Sequence, residues 1–169
     1  MAYRILSLDG GGIRGLIPII FMERLLEKHP DLLKRVDLFA GTSTGGILSL
    51  GLASGIEPAE LKQLYLHRGP EIFADSLWDD VKDLGRLAGA EYSSKNLKRI
   101  LREVFGDRTM GDLSQRVVVP VFDLDNEEKD PNLRSWKPKI FHNFPGPDSD
   151  ADQPLWKVAL YTSLAPTYF

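Results

Sequence analysis

Ser43 stands in Gly41-Thr42-Ser43-Thr44-Gly45, a G-x-S-x-G spacing that follows a short apolar run over residues 36–40. That spacing suits a nucleophile. A serine on a sharp, strained turn between strand and helix exposes its Oγ, and the helix N-terminus favours negative charge beside it. Upstream lies Asp9-Gly10-Gly11-Gly12-Ile13-Arg14-Gly15, which follows an apolar run over residues 3–8. Gly10, Gly11 and Gly12 let the backbone turn tightly and bring several N–H groups to one side with no Cβ in the way. Amides so arranged at the start of a helix hold a negative oxygen, either a phosphate or the oxyanion of a tetrahedral acyl-transfer intermediate.

The glycine loop alone is ambiguous. Gly10, Gly12 and Gly15 also satisfy the G-x-G-x-x-G of a dinucleotide site, which needs an acidic residue about 20 positions on, at the end of the next strand. Asp31 is near that spacing but follows a helix. The end of the second strand carries Ser43 instead, so the two motifs together favour serine acyl chemistry over nucleotide binding. Such a serine needs a base. His67, beside Arg68, reads as a helix C-terminal cap, His142 as a half-exposed strand residue, and His29, before Pro30, as a helix end. Asp107 and Asp112 follow glycines and read as turn and helix-start residues, while Asp123 and Asp125 belong to an acidic hairpin. Asp9 is expected to brace the glycine turn by accepting backbone hydrogen bonds.

The elements that must position these groups alternate. Strands are expected over residues 3–8, 36–40, 116–122 and 139–144, the last two joined by a long polar hairpin loop over 123–138. Helices are expected over 16–28, with Leu16, Ile20, Leu25 and Leu26 near one face, over 45–54, over 58–68 with Gly69-Pro70 as a stop, over 95–105 with Ser94 as N-cap, and over 154–164. The stretch 71–91, with Phe73, Leu77 and Trp78 among charges, reads as a partly mobile cap that admits acyl chains or touches a bilayer; ordinary core packing is its other reading. Alternating strands and helices imply an α/β fold, a mainly parallel sheet with helices on both faces and an antiparallel edge from the late hairpin. In such sheets sites lie beyond the carboxyl ends of strands, where both glycine motifs fall.

The 169 residues suit one domain, 1–169, with 43% hydrophobic residues available for a core. A net charge of −3 and no basic run argue against nucleic-acid binding. With no cysteine, disulfides and thiolate metal sites are excluded. The start, Met1-Ala2-Tyr3-Arg4, lacks the basic-then-apolar pattern of a signal peptide. No apolar stretch approaches the roughly 18 residues of a membrane span. A cytoplasmic protein is expected, and peripheral contact with a membrane is compatible with that.

Three motifs in order resemble the patatin-like phospholipases: Asp9 to Gly15, Gly41 to Gly45, and the closing Ser163-Leu164-Ala165-Pro166-Thr167-Tyr168-Phe169. In that family the loop reads D-G-G-G-x-[RK]-G, the elbow G-T-S-x-G, and a helix ends in A-x-P-x-Y-F. The resemblance implies a patatin-like fold and hydrolysis of acyl esters in phospholipids or other acyl lipids by a Ser–Asp dyad, with neither metal nor cofactor. It implies Ser43 as nucleophile, the amides of Gly10, Gly11 and Gly12 as oxyanion hole, and Gly41, Thr42, Thr44 and Gly45 as the elbow. Arg14, with Gly15, would orient the loop or meet a lipid phosphate; a surface ion pair is Arg14's other reading. The family's aspartate lies in an Asp-Gly-Gly or Asp-Gly-Ala turn after the Tyr-Phe stretch, whereas the one Asp-Gly here is Asp9-Gly10. The chain therefore reads as the N-terminal portion of such a domain, ending before that motif, and is expected to be weakly active or inactive alone. Two alternatives stay open: a non-catalytic module holding an anionic headgroup, and acyl transfer to an acceptor other than water. No protein partner is indicated.

Overall fold

The computed structural model describes residues 2–78, 86–123 and 129–164; the side chains of 70, 72–94 and 131 fall outside that description. Among the described residues four strands, β1 (Ile5–Leu8), β2 (Leu38–Gly41), β3 (Arg116–Asp123) and β4 (Lys137–His142), form one sheet in the order β1-β2-β3-β4. The first three are parallel and β4 is antiparallel to β3. Among the described residues there are five α-helices: α1 (Leu16–Lys28), α2 (Thr44–Ala53), α3 (Pro58–Trp78), α4 (Arg86–Phe105) and α5 (Leu155–Ser163). The architecture is the expected α/β one, with the late hairpin as its antiparallel edge.

Strand alternation sorts the sheet into two faces. Leu8, Phe39, Val117, Val119 and Phe141 are buried on one face, and α2 and α5 pack there. Complete burial of each such side chain contributes about 1.5–3 kcal/mol. The opposite face presents Ile5, Phe122 and Ile140, each more than half exposed, while Leu38, Ala40 and Val118 on it are partly buried. All ten residues of α2 are buried, because its small, apolar sequence fits between the sheet and its neighbouring helices. α4 turns Leu97, Ile100, Leu101 and Phe105 inward and ends at Gly106, whose φ of 59° suits a helix C-terminus. No helix among the described residues is long and apolar enough to cross a membrane.

Three local expectations are corrected. Gly69-Pro70 does not stop α3, which continues to Trp78. Arg68 bonds both Glu71 and Glu103, and Arg99 bonds Glu71. The turn around Pro70 is thereby pinned to α4, and tertiary context overrides the local breaker. Ser94 is not an N-cap, since α4 begins at Arg86. Finally, α1 buries Ile19 and Met22, while Ile20 and Leu25 are 40% and 44% exposed. This helix is apolar nearly all round, so spacing alone did not single out its inward face. Of the expected cap, residues 79–85 and the side chains of Phe73, Leu77 and Trp78 lie outside the described residues.

Candidate active site

β1 and β2 run side by side, and Leu8 is paired with Gly41. The two motif loops therefore leave the sheet at the same, carboxyl-terminal edge. They touch: a Cβ built on Gly10 would stand 3.2 Å from Ser43 Cβ and 3.0 Å from the Thr42 carbonyl oxygen. Glycine at position 10 keeps the space beside the serine open. Ser43 has φ 55° and ψ −126°, and is the one non-glycine residue with positive φ among those described. Such backbone costs on the order of 1–3 kcal/mol and persists only where its surroundings hold it. A serine at an N-cap usually spends its hydroxyl on the first helical amides. Ser43 occupies that position of α2 yet makes no side-chain cap, so its half-exposed Oγ stays uncommitted.

The glycine loop is built from unusual backbone. Gly11 and Gly12 have φ 153° and 56°, and Gly12–Gly15 forms a 3₁₀ turn that runs into α1. The first amides of such a turn have no partner within it, which is the property an oxyanion requires. Arg14 is exposed and braces the loop, donating through Nε to the Gly11 carbonyl at 3.3 Å and through its amide to the same oxygen at 3.1 Å. It forms no ion pair among the described residues. The bracing expected of Asp9 is not found: its exposed carboxylate accepts no hydrogen bond from a described residue.

Gly41 closes β2, Thr42 is exposed, and Thr44 and Gly45 are buried in the first turn of α2. Thr44 Oγ1 shares a short hydrogen bond with Tyr65 Oη on α3. Gly15 abuts this pair: a Cβ there would lie 2.7 Å from Thr44 Cγ2 and 2.9 Å from Tyr65 Cε1. Burial holds the Tyr65 phenol well above the usual tyrosine range, with the Thr44 bond acting weakly in the other direction, so it is neutral at ordinary pH. On the other side of the elbow, the Ser43 amide donates to Thr162 Oγ1 at 2.9 Å. Tyr65 and Thr162 escape a reading of the sequence. Thr162 left a signal, being the polar break on the inward face Leu155, Val158, Ala159, Thr162 of α5. Tyr65 left none, since tyrosine on an apolar helix face is ordinary.

Neither histidine after the elbow is brought to Ser43. His67 lies inside α3, its Nδ1 2.9 Å from the Gln63 carbonyl, because α3 runs past the stop that would have made it a cap. His142 ends β4, half-buried as expected, accepting from the Phe144 amide at 3.3 Å and stacking on the Phe144 ring. His29 ends α1 as expected. Asp112 caps Thr109, whose amide and hydroxyl hold its carboxyl below the usual range, in that order of strength. Asp31 pairs with Lys34 at 3.8 Å, Asp37 accepts from the Arg4 amide at 2.7 Å, and Asp150 pairs with Lys139 at 2.6 Å. Among the described residues Ser43 Oγ has no hydrogen-bond partner, and no group of three or more His, Asp or Glu is placed to hold a metal. Asp125 and the closing residues 165–169 lie outside the described residues.

The family model described as Patatin-like phospholipase matches residues 6–169. A cGAMP-activated phospholipase of Escherichia coli (strain TW11681) is 37% identical over 177 residues, covering 98% of this chain and 47% of the relative. Patatin-like protein 2 of Oryza sativa subsp. indica is 34% identical, covering 98% of this chain and 43% of the relative. The chain thus spans about half the length of the curated relatives it matches. Among solved structures, ExoU of Pseudomonas aeruginosa, in its complex with SpcU, matches with a TM-score of 0.57 at 17% identity, over 95% of this chain and 38% of the ExoU chain. At that identity the likeness speaks for the fold alone.

Proposed function

The chain belongs to the patatin-like phospholipase family, and from that premise we propose that it is a lipid acyl hydrolase of the phospholipase A type with Ser43 as nucleophile. Ser43 Oγ attacks the carbonyl carbon of an acyl ester while its proton passes to a general base. The carbonyl oxygen becomes an oxyanion, held by the amides of Gly10, Gly11 and Gly12 and favoured by the start of α2. Collapse of the intermediate breaks the ester C–O bond. The leaving alcohol, a lysophospholipid when the substrate is a phospholipid, takes up the proton. Water, deprotonated by the same base, then attacks the acyl–Ser43 ester, releasing the fatty acid and restoring the serine. The base in this reading is an aspartate forming a dyad with Ser43, and it lies outside the described residues.

The observation that carries the reading is the contact of Gly10 with Ser43, an amide loop and an uncommitted hydroxyl meeting on one edge of the sheet. Arg14 serves it by holding the Gly11 carbonyl and hence the loop's shape. The dinucleotide reading lacks its acidic residue, because Asp31 follows α1 rather than ending β2. The test is treatment with a fluorophosphonate ester and peptide mapping. One adduct at Ser43, absent in Ser43→Ala, is expected. Binding of glycerol phosphate with no adduct would favour a non-catalytic headgroup site instead. Product analysis in the presence of an alcohol acceptor separates hydrolysis from acyl transfer, since both pass through the same acyl-serine.

A further inference from the structure

The nucleophile's turn is tied down by a residue 119 positions away. Two of its hydrogen bonds, Gly45 amide to Thr42 carbonyl and Ile47 amide to Ser43 carbonyl, are local and move with α2. The Ser43 amide reaches outside, donating to Thr162 Oγ1 at 2.9 Å. A threonine hydroxyl has one proton to give. Thr162 gives it to the Pro120 carbonyl of β3, also at 2.9 Å. With that proton committed, Oγ1 turns a lone pair toward Ser43, so the direction of both bonds is set. Thr162 is 8% exposed, which keeps water from competing for them. Its methyl seats over Gly46, where a Cβ would come within 2.8 Å of Thr162 Cγ2. The elbow, β3 and α5 thus converge on one hydroxyl.

We propose that Thr162 is a positioning residue: through the Ser43 amide it holds the serine in its left-handed conformation and so sets Oγ against the glycine loop. The inference rests on the reading of Ser43 as nucleophile. A strained residue relaxes unless its surroundings hold it, and misplacing a reacting atom by about 1 Å costs on the order of 10²-fold in rate.

The experiment compares wild type, Thr162→Val, which keeps the shape and loses the hydroxyl, and Thr162→Ser, which keeps the hydroxyl. Two readouts are taken on the intact protein. In the first, Thr162→Val lowers fluorophosphonate phosphonylation of Ser43, and kcat on a soluble short-chain ester, by roughly 10-fold or more, with KM held within about twofold. Thr162→Ser restores both. In the second, amide hydrogen exchange at Ser43 quickens by roughly 10-fold in Thr162→Val and not in Thr162→Ser, while α2 and β2 keep their protection. Wild-type phosphonylation rates in Thr162→Val, or an unchanged Ser43 exchange rate, would overturn the proposal. A uniform loss of protection across the protein would overturn it too, in favour of a general structural role. A wild-type protein that carries the family's Asp-Gly turn and is still not phosphonylated at Ser43 would sink the hydrolase reading instead; the exchange measurement still decides whether Thr162 holds the turn.

Discussion

A Cβ built on Gly45 would stand 2.0 Å from the carbonyl oxygen of Leu8. Helix α2 starts directly on the last peptide of β1, and the other near atoms, the Leu8 carbonyl carbon at 2.6 Å and the Asp9 carbonyl oxygen at 2.7 Å, are backbone as well. None can swing aside as a side chain would. With no side-chain layer between them, the turn that carries Ser43 and the glycine loop are brought close together. Gly45→Ala is therefore expected to cost well over about 4 kcal/mol or to abolish folding. Thermal unfolding followed by circular dichroism checks this, and a normal cooperative transition would contradict it.

Tyr65 carries a pH signature. Its folded-state pKa lies above the ordinary value of 10.0. Below that pH the folded and unfolded chains both hold the proton, and the contribution is fully present. Above it the unfolded chain gives up its proton first, so stability falls as pH rises toward the folded pKa, by up to about 1.4 kcal/mol per pH unit from this group. Urea denaturation from about pH 9 to about pH 11 should show this decline in wild type and not in Tyr65→Phe. At neutral pH the same substitution removes the hydrogen bond to Thr44 and is expected to cost about 1–2 kcal/mol.

Ser49 should be better replaced than kept. Its Oγ is fully buried under the elbow with no hydrogen-bond partner among the described residues. Ser49→Ala removes an unsatisfied hydroxyl at almost no loss of volume, and an unchanged or raised stability, by up to about 1 kcal/mol, is expected. A denaturation midpoint that drops by as much would show that the hydroxyl has a partner.

Helix α1 offers a test of which face is inward. Met22 is 4% exposed and Leu25 44%. Met22→Asp should destabilise by more than about 3 kcal/mol, whereas Leu25→Asp should stay within about 0.5 kcal/mol of wild type. Equal effects in chemical denaturation would refute the assigned face.

The parts of the candidate site that were legible are those whose chemistry is local. Ser43 between Gly41 and Gly45, and the run Gly10 to Gly12, announce themselves because a strained turn and an amide loop demand glycine at fixed spacings. The strand-to-helix contexts followed from short apolar runs. Local signals also misled. Gly69-Pro70 reads as a helix stop, yet ion pairs between α3 and α4 carry the helix through it. Asp9 reads as the brace of the loop, yet Arg14 makes the bond to Gly11.

By itself, then, the sequence singled out the candidate nucleophile and the candidate amide loop, and it determined the order of the elements around them. These depend on backbone conformations that a few residue types either permit or forbid. Only the tertiary structure decided which side chains hold the elbow in place. Thr162 meets the Ser43 amide from 119 residues away, and Tyr65 meets Thr44 from 21. Neither distance leaves a periodic trace, because such partners are chosen by how helices pack over a sheet rather than by neighbours along the chain.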